Sequence, residues 1–574
     1  MATAGDRVNF VPPHVGPNIL PCHSLFSRLL RFAHQDPPRL CVRDDNTGVE
    51  ATHIQLLSDV LVLRARIWDN LDPDVQARLT RKEEVYIAVL APGGYEYTVA
   101  MVAVLALGAA AVPMTVHLPP EEAVYFATQS QSAAVLVANT AMRLGGSLEK
   151  LIKNRDPHSK FTCLPITPST LTPPRRPDSI AISSDLYLDD SGPGVVIYTS
   201  GTTGPPKGAV MRRGYTFDGA LAVADHYEVT SSDVLLHLLP VHHATGVGIM
   251  FFPFLASGAL IEYKSPFNEE WLWNRWKQGG ITHFSGVPTI YMRMRRYFEA
   301  VIAKKLPAER DAYIQGARAL RVCLCGTSAL PQPIADFWTQ LLGRKILLRY
   351  GATETGSVIK VPLHGSNHVP DGSVGTVFAG YDIKLSNDPD SEGEVLVKGP
   401  EMFSKYLFDP TATAKAHTSD GYYRTGDIAR KDGDYYFILG RASIDIIKSG
   451  GYKLSALDIE REILALPYIA EVMVVGVPDE EFGERVGAVI SLKNASDMEN
   501  PLTTLTIDQL RDDLRARLAG YKMPTLLRVI DTELPKSATG KVVKRIMGPK
   551  LFPKDYAISN EVQIWIRKEP KSKL

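Results

Sequence analysis

The chain has 574 residues, enough for about three to four domain-sized units, and its 45% hydrophobic and 22% charged content is typical of folded proteins. Its 63 basic and 63 acidic side chains cancel, which excludes a general electrostatic attraction to nucleic acid or to acidic membranes. Five scattered cysteines exclude a disulfide scaffold and indicate a reducing compartment.

Short apolar strands alternate with helical stretches along most of the chain. Strands are predicted at 85–90, 134–138, 194–198 and 321–325, and helices at 121–129 and 333–342. The apolar run 99–114 is too short to span a membrane, and it predicts a buried helix followed by a strand that begins at Ala110. This alternation predicts an α/β fold in which parallel or mixed sheets are covered by helices.

The pattern changes near residue 440. A turn at 431–434 lies between two aromatic strands and predicts a hairpin. After it come a predicted helix at 455–466, a strand at 470–477 and a helix at 507–518, which together indicate a small α+β unit. We therefore expect a large domain at 1–441, a small mobile domain at 442–550 and a basic tail at 551–574.

Hydroxyl side chains and glycines are concentrated at 198–208, which reads Tyr-Thr-Ser-Gly-Thr-Thr-Gly-Pro-Pro-Lys-Gly directly after an apolar strand. Such a loop can surround phosphate oxygens with N–H and O–H donors, and its lysine adds a cation. It is not a Walker loop, because glycine rather than Ser or Thr follows the lysine. The segment predicts a nucleotide-phosphate site made by Thr199, Ser200, Gly201, Thr202, Thr203, Gly204 and Lys207.

This segment resembles the phosphate-binding signature of the adenylate-forming superfamily, which includes acyl-CoA synthetases, luciferases and peptide-synthetase adenylation domains. Further segments resemble the family's motifs in the family's order, from about residue 25 to about 550: Arg-Tyr-Gly-Ala-Thr-Glu at 349–354, Tyr-Arg-Thr-Gly-Asp at 423–427, Gly-Arg at 440–441, a hinge-like segment at 443–454 and Pro-Lys-Ser-Ala-Thr-Gly-Lys at 535–541. The resemblance implies an AMP-forming acid–CoA ligase that uses ATP, Mg²⁺ and coenzyme A and passes through an acyl-adenylate.

The resemblance also implies roles for single residues. Asp427 and Arg441 would hold the ribose, and further nucleotide contacts fall on Gly326, Tyr350 and Gly351. Thr353 would donate a hydrogen bond to the α-phosphate, and Glu354 would hold Mg²⁺. A metal ion is needed because the negative carboxylate of the acid and the negative phosphates of ATP repel each other. Lys541 would reach the carboxylate and the α-phosphate together.

A second half-reaction is implied by Lys-Ser-Gly-Gly-Tyr at 448–452. In acyl-CoA synthetases the equivalent loop lines the pantetheine channel after the small domain rotates, which would place Ser449, Gly450 and Gly451 in a CoA channel. Adjacent glycines permit close backbone approach. The hinge position is Ser443, where relatives usually have Asp or Lys.

The acid itself is less well defined by the sequence. Segments at 286–293 and 443–460 most resemble malonyl-CoA synthetases, which implies that His243 lines the acyl pocket and that Arg293 binds a second carboxylate. Ala352 stands where those enzymes often have Met, which opens volume near the acid. The alternatives are a structural role for His243 and an exposed basic helix face for Arg293. The sequence therefore leaves two predictions for the substrate: a dicarboxylate or hydroxylated short acid, and a medium-chain or aromatic acid.

Two other functions are compatible with these motifs. One is a stand-alone adenylating enzyme that delivers the acyl group to a carrier protein, and the other is a catalytically degenerate nucleotide-binding protein. The last residues, Ser572, Lys573 and Leu574, read as the address recognised by the peroxisomal import receptor. We therefore expect a peroxisomal enzyme without a membrane span, whose metabolic or biosynthetic pathway is not defined by the sequence.

Overall fold

The structure, a computed structural model, describes residues 11–168, 173–199, 205–386, 392–493, 502, 504–536 and 542–566. Its strands are β1 Ile19–Pro21, β2 Leu40–Asp44, β3 Val49–Thr52, β4 Tyr86–Leu90, β5 Ala110–Met114, β6 Ala134–Val137, β7 Thr162–Pro165, β8 Ala181–Ser183, β9 Pro193–Thr199, β10 Lys207–Arg212, β11 Val234–His237, β12 Leu260–Tyr263, β13 His283–Gly286, β14 Val322–Cys325, β15 Leu347–Ala352, β16 Gly356–Lys360, β17 Thr376–Val377, β18 Asp382–Leu385, β19 Glu392–Lys398, β20 Lys405–Tyr406, β21 Tyr423–Asp432, β22 Tyr435–Arg441, β23 Ile446–Ser449, β24 Tyr452–Ser455, β25 Ile469–Asp479, β26 Gly483–Leu492, β27 Leu526–Ile530 and β28 Gln563–Ile564.

The α-helices are α1 Ser24–Ala33, α2 His53–Asn70, α3 Pro73–Thr80, α4 Tyr95–Ala106, α5 Pro120–Gln129, α6 Met142–Arg155, α7 Asp218–His226, α8 Phe252–Ser257, α9 Glu269–Gln278, α10 Pro288–Tyr297, α11 Pro307–Arg318, α12 Gln332–Leu342, α13 Pro410–Lys415, α14 Ala456–Leu464, α15 Ile507–Leu514 and α16 Lys544–Leu551. Side-chain oxygens start several of them. Thr52, Asn268 and Ser455 each accept a hydrogen bond from a first-turn N–H, at 3.3, 2.8 and 3.1 Å. Such caps satisfy donors that a helix start leaves open.

Two large mixed sheets form the centre of the molecule. One has the strand order β20-β10-β9-β5-β4-β6-β7 and is parallel from β9 to β7. The other has the order β17-β16-β15-β14-β13-β11-β12-β2-β3 and is parallel from β15 to β2. A smaller antiparallel sheet with the strand order β18-β19-β21-β22 follows the two large sheets in the chain and ends at Arg441. The predicted α/β class is confirmed.

Helix α4 packs between the two large sheets. Its residues are buried except at Glu96, as expected for a helix that is apolar on all sides. It follows β4 of the first sheet, while the N–H of Tyr95 donates to Asp44 at the end of β2 in the second sheet, 3.0 Å away. The expected buried helix within 99–114, followed by a strand at Ala110, is thus present. Among the described residues, no helix is long and apolar enough to cross a bilayer.

The small C-terminal part has cores of its own. The main hydrophobic core extends along the chain from Leu20 to Tyr436, whereas separate clusters on the two faces of the β23–β28 sheet begin at Ile447. Strand β28 pairs with β27, and Leu551 and Phe552 are buried in this small unit. Residues 551–564 of the expected tail thus pack on the small sheet through these apolar side chains.

Candidate active site

A cleft of about 2800 Å³ lies between the large and small parts of the chain. Residues from both parts line it, including Thr199, Lys207 and Glu354 on one side and Lys536 and Lys544 on the other. Most of the described residues predicted for nucleotide binding meet here. Ser200, Gly201, Thr202, Thr203, Gly204 and Lys541 lie outside the described residues.

Asp427 is held from two sides. The hydroxyl of Tyr350 donates to its Oδ2 at 2.9 Å, and Nε of Arg441 donates to its Oδ1 at 2.8 Å. The β21–β22 hairpin explains the second contact, since Asp427 and Arg441 are direct cross-strand partners. Each carboxylate oxygen has a second lone pair, so the group can still accept hydrogen bonds from a ligand in the cleft.

Glu354 is fixed by a residue that the sequence did not single out. The hydroxyl of Tyr406 donates to Oε1 of Glu354 at 2.6 Å and lies 3.3 Å from the hydroxyl of Tyr423. Nζ of Lys207 lies 5.2 Å from the centre of the Tyr406 ring. Burial, and then the charge of Glu354, raise the pKa of Tyr406, which therefore stays a hydrogen-bond donor at neutral pH.

The predicted residues Gly351 and Ala352 end β15, and Thr353 begins the turn to β16. A side chain at Gly351 would place its Cβ 1.9 Å from the carbonyl oxygen of Gly356, so only glycine fits there. The N–H of Ala352 donates to Oγ1 of Thr355 at 3.0 Å, which closes the turn. Thr353 and Ala352 both line the cleft. The buried Thr355 was not predicted, because nothing in its sequence context distinguishes it from other threonines.

Gly326 occupies a supporting position at the end of β14. Its neighbours Cys325 and Thr327 line the cleft, whereas a Cβ on Gly326 would meet Arg349 at 3.2 Å. Thr327 has a φ of 71°, a left-handed conformation that costs energy in a residue with a side chain. Gly326 therefore leaves space for Arg349, and Thr327 is the neighbouring residue that turns toward the cleft.

His243 lies in the wall of the cleft, as expected for an acyl-pocket residue. Its ring centroid is 4.4 Å from that of His242, and burial is the main cause that lowers the pKa of His242 to about 3. In the same wall, the hydroxyl of Tyr215 packs directly against the backbone of Gly248. A Cβ at position 248 would lie 1.6 Å from that hydroxyl. His242 is thus neutral, and the wall around His243 is tightly packed.

Arg293 does not reach the cleft. It lies on the outer face of α10, where its guanidinium stacks 4.8 Å from the Phe267 ring centre and its Nε donates to Glu269. Its neighbour Met292 lines the cleft, and the buried face of the helix carries Tyr291. The prediction that Arg293 binds a second carboxylate is therefore corrected: one residue step turns a helical side chain by about 100°.

The segment predicted for the CoA channel lies away from this cleft. Ser449, Gly450 and Gly451 form the turn between β23 and β24 and are not among the cleft-lining residues. The N–H of Gly450 donates to the carbonyl oxygen of Phe482 at 2.9 Å. With φ values of 54° and 84°, the two glycines adopt left-handed conformations that this tight turn requires.

The small part is fastened to the Asp427 site through Asp445. Nζ of Lys544 lies 2.7 Å from Asp445 and 2.8 Å from Glu460, and all three side chains are largely buried. The other carboxylate oxygen of Asp445 accepts from the N–H of Arg441 at 3.0 Å. Burial lowers the pKa of Lys544, but the two carboxylates outweigh it and leave that pKa raised. A charged lysine thus joins α16 to the strand that carries Arg441.

Comparison with known proteins identifies the family. The model for AMP-binding enzymes matches residues 76–407, and that for the AMP-binding enzyme C-terminal domain matches 458–541. A malonate–CoA ligase of Arabidopsis thaliana is 34% identical over 551 residues, covering 91% of this chain and 88% of the relative. The acyl-CoA ligase oryP of Aspergillus oryzae is 30% identical, covering 95% and 96%. The chain belongs to the AMP-binding enzyme family, and the predicted membership of the adenylate-forming superfamily is confirmed.

The fold is shared with a solved structure. The ATP-bound MatB from Rhodopseudomonas palustris superimposes with a TM-score of 0.74 at 24% identity, covering 94% of this chain and all of that one. This likeness confirms the architecture of a large sheet domain followed by a smaller C-terminal domain.

Proposed function

We propose that this AMP-binding enzyme is an acid–CoA ligase that activates a carboxylic acid as its adenylate and then transfers the acyl group to coenzyme A. One arrangement supports it most directly: the Tyr350–Asp427–Arg441 cluster and the Glu354–Tyr406 pair line the same cleft as Lys207. A polar cluster for a sugar thus lies beside a carboxylate and a cation suited to phosphates. Relatives named as CoA ligases support the choice of acceptor.

In the first half-reaction a carboxylate oxygen of the acid attacks the α-phosphorus of ATP. A new P–O bond forms, the bond to the β-phosphate oxygen breaks, and pyrophosphate leaves. Asp427 would accept hydrogen bonds from the ribose hydroxyls, which fixes the α-phosphate near Thr353. Lys207, and Lys541 outside the described residues, would stabilise the negative charge that develops on the phosphate oxygens.

Glu354 fits the role predicted for it toward Mg²⁺. Among the described residues, no group of three or more His, Cys, Asp and Glu side chains is placed to hold a metal. Mg²⁺ often takes only one or two protein carboxylates together with phosphate oxygens, so a single oriented carboxylate beside a nucleotide suffices. Bound in this way, Mg²⁺ would neutralise phosphate charge. Tyr406 holds the Glu354 carboxylate in a fixed direction for that purpose.

In the second half-reaction the thiolate of CoA attacks the acyl carbonyl, and AMP leaves with the electron pair of the broken C–O bond. The Ser449–Gly451 turn lies outside the cleft, so its predicted part in the CoA channel requires the small domain to turn about the segment around Ser443. Lys544, Asp445 and Glu460 all follow Ser443 and would move together, whereas the hydrogen bond from the N–H of Arg441 to Asp445 would have to change.

We also propose a peroxisomal location. It rests on Ser572, Lys573 and Leu574, which lie outside the described residues and match the sequence that an import receptor reads. A role in the biosynthesis of a secondary metabolite stays a prediction that needs the identity of the acid.

The purified protein should form AMP and acyl-CoA from ATP, CoA and at least one member of a carboxylic-acid panel. Asp427→Asn should abolish most of this activity, because the amide cannot accept two sugar hydroxyls and also pair with Arg441. Asp432→Asn, at an exposed carboxylate on the same strand, is the matched control and should stay active. AMP formation that needs no CoA and yields no acyl-CoA would contradict CoA as the acceptor. Inactivity with every acid would contradict the ligase.

A further inference from the structure

Two cationic side chains lie side by side at the inner end of the cleft. Arg349 on β15 and Lys360 on β16 are direct cross-strand partners, and their side chains are 8% and 1% exposed. Both line the cleft, together with Ser357 and Phe378. Neither cation belongs to the nucleotide cluster described above, and the sequence did not predict a ligand for either.

Both cations lack a full set of partners. Among the described residues, Nζ of Lys360 and Nη1 of Arg349 are buried without a hydrogen-bond acceptor, and so is Oγ of Ser357. Arg349 donates from Nη2 to Ser285 at 3.3 Å, and Nζ of Lys360 lies 3.3 Å from the centre of the Phe378 ring. A ring face attracts a cation but does not replace a hydrogen-bond acceptor.

In the described ranges, neither Arg349 nor Lys360 has an acidic side chain within ion-pair distance, although Glu401 lines another part of the cleft. His226 packs on the same side through Phe378, and burial and the charge of Lys360 lower its pKa to about 4, so it is neutral. Two adjacent buried positive charges without a counter-charge are costly in the free protein.

We infer that Arg349 and Lys360 bind a second carboxylate at the far end of the acid substrate, so that the preferred acid is a dicarboxylate. The inference rests on the proposed ligase function, because the substrate enters the same cleft. Arg349 lies on β15 and Thr353 follows the last residue of that strand, and both line the cleft, so one stretch of chain would hold the two ends of the acid.

The chemistry of the pair suits such a group. A guanidinium and an ammonium can together supply several donors to one carboxylate, and charge-assisted hydrogen bonds of this kind are the strong ones. Burial and the nearby Arg349 lower the pKa of Lys360 to about 7. An arriving carboxylate would restore its charge, while a simple alkyl end would leave both cations unpaired.

Matched acid pairs test this inference. Adenylation is measured as pyrophosphate exchange with diacids of three to eight carbons and with monoacids of equal carbon number, and kcat and KM are separated. The wild type should prefer a diacid over its partner by at least about tenfold. Lys360→Met should raise KM for that diacid by about ten- to a hundredfold and lower KM for the matched monoacid. Lys360→Arg, which keeps a cation, should retain part of the preference.

Two control variants and one measurement without turnover complete the test. Lys150→Met makes the same substitution at an exposed lysine, and Arg293→Leu removes the cation on the outer face of α10; both should keep the wild-type preference. The preferred diacid should raise the Tm of the wild type more than that of Lys360→Met. Activity on monoacids alone, or equal losses with both acids in Lys360→Met, would overturn the inference and leave the ligase intact. Inactivity with every acid would instead contradict the ligase itself.

Discussion

The hydroxyl of Tyr406 donates a 2.6 Å hydrogen bond to Glu354, across 52 positions of the chain. The backbone makes the same connection, since the N–H of Phe403 donates to the carbonyl oxygen of Glu354 at 2.8 Å. Strand β20, which carries Tyr406, pairs with β10, which begins at Lys207. The phosphate-loop lysine and the proposed metal ligand are thus positioned by one connected set of contacts.

Replacing Tyr406 by Phe should weaken the use of Mg²⁺. A hydrogen bond to a charged group contributes about 1.5–3 kcal/mol, so we expect pyrophosphate exchange to fall by about ten- to a hundredfold at limiting Mg²⁺ and less at saturation. The measurement is the Mg²⁺ concentration that gives half-maximal exchange. Tyr422→Phe removes a tyrosine–aspartate hydrogen bond on the surface and should behave as wild type. An unchanged Mg²⁺ dependence in Tyr406→Phe would contradict the proposed role of Glu354 as a Mg²⁺ ligand oriented by Tyr406.

Replacing Lys541 by Ala should block adenylation and spare thioester formation from supplied acyl-adenylate. A single preorganised cation at the α-phosphate contributes about 2–4 kcal/mol, a factor of about a hundred to a thousand in the first half-reaction. Each half-reaction is measured separately, and Lys554→Ala, at an exposed lysine, is the control. Equal losses in both half-reactions would indicate a folding defect and contradict the proposed role.

Site residues could be predicted from the sequence where they lie close together in short motifs. The hairpin at 431–434 places Asp427 opposite Arg441, and the turn after β15 places Thr353 and Glu354 at the cleft, so residues that the family resemblance singled out lie together in the structure. The α/β class followed from alternating strands and helices in the same way.

Other parts of the site depend on contacts between distant segments. Tyr406 meets Glu354 only because β20 joins the edge of a sheet, and no local pattern marks it. Arg293 was assigned from a resemblance in sequence spacing, but the orientation of α10 turns it outward. The Arg349–Lys360 pair depends on the register of β15 against β16, which the sequence alone does not define.

Deleting Ser572, Lys573 and Leu574 should release the enzyme into the cytosol and leave its activity in vitro unchanged. Under the proposed peroxisomal location, an import receptor would recognise these three residues, and none of the proposed catalytic positions lies near them in the sequence. Imaging of a fusion with a fluorescent protein at the N-terminus measures the location, and Lys571→Ala is the matched control. Peroxisomal fluorescence that persists after the deletion would contradict the proposed location.

Lys360 should also make the stability of the free protein depend on pH. Its pKa is about 7 in the folded protein because of burial and Arg349, whereas an unfolded lysine titrates near 10.4. Between these values the unfolded chain binds one more proton than the folded one at this site. The free energy of unfolding should therefore rise with pH in this interval, by about 1.4 kcal/mol per pH unit from this group alone.

Lys360→Met should consequently be more stable than the wild type at pH 7, and its advantage should shrink as the pH approaches 10. At pH 7 a partly charged, unpaired lysine lowers the free energy of unfolding of the wild type. The methionine removes that charge while keeping a side chain of similar length. Thermal melts of both proteins at pH 7, 8, 9 and 10 give the difference in Tm, and Lys150→Met should show no such trend. Saturation with the preferred diacid should cancel the advantage, because the bound carboxylate then pairs with Lys360 in the wild type only. A difference in Tm that is constant over this pH range would show that Lys360 does not titrate there and would contradict its buried, unpaired state.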